Sequence, residues 1–172
     1  MLLRRHLQAI AALPFVVTVV IPVWLARRNR ISIGLGHGWQ ALLAQSAGLV
    51  LLGIGVWMFI KTVRQFGSEG RGTLAPWDPP RQLVINGLYR YVRNPMISGV
   101  CFILLGEGLL LRSHSHLRWA LLFIVINAIY IPLLEEPLLL RRFGADYREY
   151  CRHVPRLIPR LRPWSGGNES RS

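Results

Sequence analysis

Four long apolar stretches, separated by short polar segments, dominate the pattern of the chain. They cover residues 7–25, 39–60, 96–111 and 117–134 and contain almost no charged side chains. A helix rises 1.5 Å per residue, so the stretches correspond to roughly 24–33 Å, close to the hydrocarbon thickness of a bilayer. Because a backbone in lipid must satisfy its own hydrogen bonds, each stretch is predicted to be a transmembrane helix. The pattern therefore predicts an all-α integral membrane protein.

Two finer patterns refine this prediction. In the second stretch, Ala44, Gly48 and Gly55 stand at helical spacing, which predicts a small-residue face for close helix packing. After the fourth stretch, large apolar residues recur at steps of three and four, as in an amphipathic helix lying along the membrane surface. These residues are Leu140, Phe143, Tyr147, Tyr150 and Val154. With 172 residues, the whole chain is predicted to form a single membrane domain.

The distribution of positive charge predicts the orientation in the membrane. The formal net charge is +13, and all but one of the 21 Lys and Arg residues are arginine. Most lie near the N-terminus, in the loop 61–93 and in the tail from Arg141 onward; the alternate side carries Arg27, Arg28, Arg30, Arg112 and Arg118. The positive-inside rule then places both termini in the cytoplasm, and we expect a bacterial inner membrane.

The same positive charge indicates which kinds of molecule the protein is expected to bind. Arginines beside apolar helices attract anionic lipid head groups, so membrane lipids are expected partners. No nucleic-acid recognition motif accompanies the charge, and nucleic acid is not expected. No histidine pair has the spacing of metal ligands, so no metal is predicted. The sequence leaves the oligomeric state open.

Candidate chemistry begins in the segment RQLVINGLYRYVRNP, residues 81–95. Pro95 suits the first turn of the third helix, whose free N–H groups would face the cytoplasmic boundary. Together with Arg90 and Arg93, these groups would form an anion site. Alternatively, the tyrosines and arginines of the segment anchor the chain at head-group depth. The local sequence permits both interpretations.

A second constellation follows the fourth stretch, where Glu135 and Glu136 stand together at an apolar boundary. Adjacent carboxylates there are costly unless a cation engages them. Arg141 or Arg142 could be that partner, or one acid could hold a cationic group of a ligand. Glu107, inside the third stretch, is also acidic, but it lies about one turn from the end and is expected to snorkel to the interface.

Together the two constellations resemble the isoprenylcysteine carboxyl methyltransferase and phospholipid methyltransferase superfamily. The matching segments are LVINGLYRYVRNPMISG (83–99) and EEPLLLRRFGADYREYCRHVPRLIP (135–159). They carry a Gly-x-Tyr element, Arg-Asn-Pro, two acids, Phe-Gly-x-x-Tyr-x-x-Tyr and Val-Pro in the family order. The resemblance covers a methyltransferase-like core of residues 81–159. It implies methyl transfer dependent on S-adenosyl-L-methionine inside a membrane-embedded helical fold.

The resemblance also implies site residues by position. The implied cofactor-binding residues are Arg81, Gln82, Leu83, Val84, Tyr89, Asn94, Pro95, Met96, Ile97 and Glu135. The implied catalytic residues are Arg93, Glu135 and Glu136. The donor carries a carboxylate, an ammonium and a sulfonium, for which arginines, a glutamate and an aromatic face are suitable partners.

Three departures from the family pattern indicate which kind of molecule accepts the methyl group. Ile97 stands where the family has tyrosine, Asn94 replaces histidine, and Ile131 occupies the place of a substrate-engaging arginine of prenylcysteine enzymes. We therefore expect a lipid or small lipophilic acceptor, methylated at a carboxylate or amine, rather than a prenylated protein. The same two isoleucines favour a second hypothesis, a non-catalytic scaffold or small-ligand binder that retains the fold.

Overall fold

The computed structural model describes residues 13–31, 34, 36, 38–69, 83 and 85–165. Over these residues the chain is helical and has no strand, which confirms the all-α prediction. A π turn, Val16–Val20, leads into α1; a 3₁₀ turn, Gly87–Arg90, precedes α3; and a second π turn, Ile131–Glu135, joins α4 to α5. The helices are α1 (Ile21–Arg28), α2 (Trp39–Glu69), α3 (Pro95–Leu110), α4 (His114–Tyr130) and α5 (Glu136–His153).

Within the described part of the chain, two helices are long and apolar enough to cross a membrane. They are Trp39–Gln65, with 27 residues, and His114–His153, a continuous run of 40 residues. The second and fourth apolar stretches lie within them. The third corresponds to α3, which has only 16 residues, and part of the first stretch lies outside the described residues. The count of four spans and the surface position of α5 therefore stay predictions.

The chain divides into two compact units, Met1–Trp57 with Gly99–Val125, and Met58–Ser98 with Ile126–Ser172. In the first unit, α2 packs closely on α3 through glycines. A Cβ on Gly48 would lie 2.6 Å from the backbone N of Leu110, and one on Gly55 would lie 2.6 Å from the carbonyl O of Gly99. Two helix backbones can approach this closely only where side chains are missing, so the predicted small-residue face is confirmed at both glycines.

The N-terminal segment of the first unit is hydrogen-bonded to two side chains of α4, the buried His116 and the half-buried Trp119. His116 Nε2 lies 3.1 Å from the carbonyl O of Pro22, and Trp119 Nε1 donates to the carbonyl O of Val17 at 3.1 Å. Glu107, predicted to reach the interface, instead has a buried Oε2 with no hydrogen-bond partner among the described residues.

The second unit is built around α5. Its buried residues Tyr147, Tyr150 and Val154 form a cluster, against which pack Leu83, Ile85, Leu139, Phe143, Cys151 and Trp164. The apolar stripe predicted for this helix therefore packs inside the protein, with the exception of Leu140, which is exposed. Gly144 interrupts the helix with φ +55° and ψ −122°, a conformation that a side chain would strain.

Candidate active site

The segment after α5 runs back along the loop that precedes α3. We call residues 154–164 the C-terminal strap. Its backbone is hydrogen-bonded to that loop at four points: Arg93 N to Pro155 O (2.8 Å), Asn94 N to Arg156 O (3.3 Å), Arg160 N to Tyr91 O (3.0 Å) and Trp164 N to Arg90 O (3.0 Å). The Arg-Asn-Pro motif is thus held by backbone bonds, which do not depend on the strap's side chains.

Two hydroxyl groups reinforce this arrangement. Tyr150 on α5 donates a hydrogen bond to the carbonyl O of Tyr89 at 2.6 Å. Ser98, buried in the first turn of α3, has its hydroxyl 2.7 Å from the carbonyl O of Leu157. The loop, the start of α3 and the strap are therefore fixed to one another within the second unit.

Glu136, the first residue of α5, is the centre of the charged cluster in this unit. Its Oε1 accepts hydrogen bonds from Arg93 Nη1 at 2.8 Å and from Arg156 Nε at 2.6 Å. Its Oε2 accepts a third from Arg156 Nη2 at 2.9 Å. Only 10% of the Arg93 side chain and 18% of the Glu136 side chain are exposed. A carboxylate held by two guanidinium groups keeps its negative charge and is a poor proton acceptor.

The two arginines have different surroundings. The hydrogen bonds that Arg156 donates to Glu136 raise the pKa of Arg156 above its ordinary value, so this cation persists through the whole physiological pH range. Arg93 also directs Nη1 at the Cys151 sulfur, 2.8 Å away. The Nε of Arg93 is buried and has no hydrogen-bond partner in the described part of the chain. We call Arg93, Glu136, Cys151 and Arg156 the Glu136 cluster.

A π turn positions the acidic pair. Pro132 has no backbone N–H and cannot continue regular α-helical bonding, and the chain accommodates it in the wider turn Ile131–Glu135. This insertion changes the direction in which the following side chains leave the helix. Glu136 meets the two arginines, whereas the half-buried Glu135 makes no hydrogen bond or ion pair with any described residue.

Several sequence-predicted residues come together here. Arg93 contacts Glu136, and Asn94 directly follows Arg93 in the loop bonded to the strap. Pro95 begins α3, as predicted, and is completely buried, whereas Met96 and Ile97 are half-buried in the same turn. Tyr89 is half-buried, and Leu83 packs on the core of the unit. Arg81, Gln82 and Val84 lie outside the described residues.

Two interpretations of the charges need correction. The ion-pair partners of Glu136 are Arg93 and Arg156, whereas Arg141 and Arg142 are exposed and make no ion pair with either acid. The arginines expected beside an anion at the start of α3 are also engaged by the protein: Arg93 by Glu136, and Arg90 by the carbonyl O of Trp164, to which its Nε donates at 2.7 Å.

Sequence reasoning missed Arg156 and Cys151. Arg156 follows the Val-Pro element of the motif, which is the only local signal that distinguishes it from the other arginines of the tail. Cys151 has no local signal at all, because its contact with Arg93 joins residues 58 positions apart.

Comparison with known proteins agrees with the motif. The family model described as phospholipid methyltransferase matches residues 43–146. Methanethiol S-methyltransferase 2 of Bradyrhizobium diazoefficiens is 36% identical over 77 residues, 43% of this chain and 27% of the relative. Phosphatidylethanolamine N-methyltransferase 1 of the yeast Vanderwaltozyma polyspora is 34% identical over 107 residues, 59% of this chain and 13% of the relative.

The matches thus span only 27% and 13% of the length of these curated relatives. No solved structure matches the chain significantly. The names of the two relatives describe different acceptors, a small thiol in one case and a phospholipid amine in the other.

Proposed function

Because the chain belongs to the phospholipid methyltransferase family, we propose that it is a membrane methyltransferase. Its donor is S-adenosyl-L-methionine, and its acceptor is a lipophilic molecule reached from the bilayer at the cytoplasmic face. The family, the relatives named as methyltransferases and the two apolar helices support this proposal. The prediction of four spans and of an α5 lying at the membrane surface belongs to the same proposal.

The observation that carries the proposal is the unequal state of the two adjacent acids. The carboxylate of Glu136 accepts three hydrogen bonds from Arg93 and Arg156. Glu135 has no hydrogen-bond or ion-pair partner among the described residues. A half-buried carboxylate is costly to leave unpaired, and a cationic ligand would remove that cost. We therefore assign the structural role to Glu136 and the ligand-binding role to Glu135.

The residues present fit the donor's chemistry. Glu135 offers the donor's ammonium group a carboxylate that has no hydrogen-bond or ion-pair partner among the described residues. Arg93 Nε is a buried donor, likewise without a described partner, and suits the donor's carboxylate. The half-buried ring of Tyr89 would supply an aromatic face for the sulfonium. Bound there, S-adenosyl-L-methionine would supply an electrophilic methyl group.

The chain's own part in the reaction is then binding and orientation. Glu136 and Cys151 hold the Arg93 guanidinium in one position, and the strap fixes the loop that carries it. Holding the reactants in position in a site that contains little water is the main way to accelerate an in-line displacement. A carboxylate acceptor needs no general base. An amine acceptor must first lose a proton, and Glu136 is a poor proton acceptor because two arginines stabilise its charge.

A buried residue supports an acceptor other than a prenylated protein. Ile131 stands at the position of the substrate-engaging arginine in prenylcysteine enzymes, and none of its surface is exposed. It therefore packs within the protein and offers nothing to an anionic acceptor. The exposed apolar surfaces of the two long helices support a lipophilic acceptor.

Calorimetric titration of detergent-solubilised protein with S-adenosylhomocysteine tests the donor assignment. The parent should bind, and Glu135→Gln should weaken binding by about ten- to a hundredfold, as expected for a lost charge-assisted hydrogen bond. Glu149→Gln, which removes an exposed carboxylate of α5, is the matched control and should bind like the parent. Absence of binding by the parent at millimolar ligand would refute the donor assignment.

Radiolabelled methyl transfer to a total membrane lipid extract tests turnover. Label should enter the lipid fraction, and mass spectrometry should find a species heavier by one CH₂. Donor binding without transfer to any lipid or lipophilic amine or carboxylate would favour the non-catalytic binder instead.

A further inference from the structure

A cavity in the first unit has the chemistry of an anion site. Its volume is about 550 Å³, within the range of roughly 300–1,000 Å³ usual for ligand pockets. It lies where α2 begins, α3 ends and α4 begins, and its walls include Trp39, Gln40, Arg112, His114 and Leu117. None of its lining residues belongs to the Glu136 cluster, so the inference is independent of the proposed function.

The cavity has a positive charge that no acidic side chain among its described lining residues neutralises. Arg112 is exposed, and its side chain makes no hydrogen bond or ion pair with any described residue. Arg118 lies beside the same wall, because its Nε donates to the carbonyl O of His114 at 3.3 Å. No acidic side chain is present among the described lining residues. The field inside the cavity therefore favours an anion.

The left-handed backbone at Arg112 is part of the cap that ends α3. The end of α3 is closed by hydrogen bonds from Ser113 N to Gly108 O (2.9 Å) and from Arg112 N to Leu109 O (3.1 Å). This pattern requires a left-handed residue after the helix, a place usually taken by glycine. Arg112 occupies it with φ +50°. This cap places Arg112 on the cavity wall.

The loop before α2 leaves room for that guanidinium. A Cβ on Gly36 would lie 2.5 Å from Ala41 Cβ and 2.5 Å from Arg112 Nη1, so Gly36 lies close both to the start of α2 and to the end of the Arg112 side chain. Gln45 holds this loop in place, since its Oε1 accepts from Gly36 N at 2.9 Å and its Nε2 donates to the carbonyl O of Leu110 at 3.2 Å. The hydrogen bond between Gly36 and Gln45 thus fixes the backbone beside the Arg112 guanidinium.

We propose that this cavity binds the phosphate group of an anionic phospholipid. The planar guanidinium of Arg112 matches two phosphate oxygens, and His114 and Gln40 provide further polar groups. Trp39, Leu109 and Leu117 supply apolar walls. The first turns of α2 also expose Leu42 and Leu43, an apolar surface suited to the acyl chains. A soluble phosphate would use the cation and leave these apolar surfaces uncovered.

Native mass spectrometry of the full chain in detergent tests the proposal, with phosphatidylglycerol as the anionic probe. Phosphatidylcholine with the same acyl chains is the zwitterionic comparison. The parent should bind phosphatidylglycerol more tightly than phosphatidylcholine. Arg112→Gly should weaken phosphatidylglycerol binding at least about tenfold, as expected for a lost charge-assisted phosphate contact. Arg112→Lys, which keeps the charge, should recover part of the binding.

Arg30 provides a matched control. It ends α1 in the same way, with φ +49° and a hydrogen bond from Ile31 N to Ala26 O, but it does not line the cavity. Arg30→Gly removes one charge and the same backbone strain, and should bind phosphatidylglycerol like the parent. Both glycine variants should unfold at or above the parent's temperature, which separates loss of binding from loss of fold.

Two results would overturn the proposal. Equal weakening by Arg30→Gly and Arg112→Gly would mean that surface charge in general attracts the lipid. Displacement of phosphatidylglycerol by equimolar inorganic phosphate would mean that the cavity takes a free anion.

Discussion

Glu136→Gln is the substitution that best tests the division of roles between the two acids. It keeps the size of the side chain and removes its charge. Arg93, with 10% of its side chain exposed, would then be a nearly buried cation that has lost its ion-pair partner and keeps its contact with the Cys151 sulfur. Breaking a buried ion pair costs about 3–5 kcal/mol. Because 36% of the Arg156 side chain is exposed, solvent weakens the ion pair between Arg156 and Glu136. We therefore expect a loss of about 2–4 kcal/mol in the free energy of unfolding.

The assay is thermal unfolding of the detergent-solubilised protein, followed by tryptophan fluorescence. For a chain of this size each kcal/mol corresponds to about 2–4 °C, so the midpoint should fall by about 4–16 °C. Glu135→Gln is the internal comparison, since Glu135 has no described partner to lose. It should stay within about 0.5 kcal/mol of the parent and weaken only binding of S-adenosylhomocysteine.

A double-mutant cycle then measures the interaction energy between Glu136 and Arg156. Arg156→Gln combined with Glu136→Gln should destabilise less than the sum of the single variants, with a coupling of about 1–2 kcal/mol for a partly exposed bidentate pair. The reasoning fails if Glu135→Gln destabilises the protein as much as Glu136→Gln, or if the two single variants are simply additive.

Three further substitutions test how the site and the helices are held. Gly144→Ala places a side chain at φ +55° and should destabilise by about 1–2 kcal/mol in the same thermal assay; an unchanged midpoint would contradict the kink in α5. Ser98→Ala removes the hydroxyl 2.7 Å from the Leu157 carbonyl and should cost about 1–3 kcal/mol and make the strap more sensitive to limited proteolysis. Gly48→Ala puts a Cβ 2.6 Å from the backbone of α3 and should cost about 1–3 kcal/mol by overpacking. Gly53→Ala, where nothing lies within 4 Å, is its control and should be neutral or slightly stabilising.

These glycines show which structural features the local sequence predicts and which it does not. Spacing identified Gly48 and Gly55 as a packing face, because helical periodicity is a property of the chain alone. The Phe-Gly pair of the motif did not reveal that Gly144 breaks its helix. Gly144 has a positive φ of +55°, and the buried Tyr147 and Tyr150 follow it on the same helix.

By itself the sequence determined the helical class, the apolar helices, the start of α3 at Pro95 and the family. Each depends on composition, periodicity or a short motif, and all of these are local properties. Only the tertiary structure decided which of many arginines neutralises Glu136, because Arg93 and Arg156 reach it through the loop and the strap from 43 and 20 residues away. It also decided that Glu135 differs from its neighbour, since the π turn at Pro132 sets the direction of each side chain. Arg112 became a candidate ligand only once its left-handed backbone and the cavity beside it were seen. Contacts between distant residues depend on how the chain folds back on itself, and spacing along the chain does not encode that.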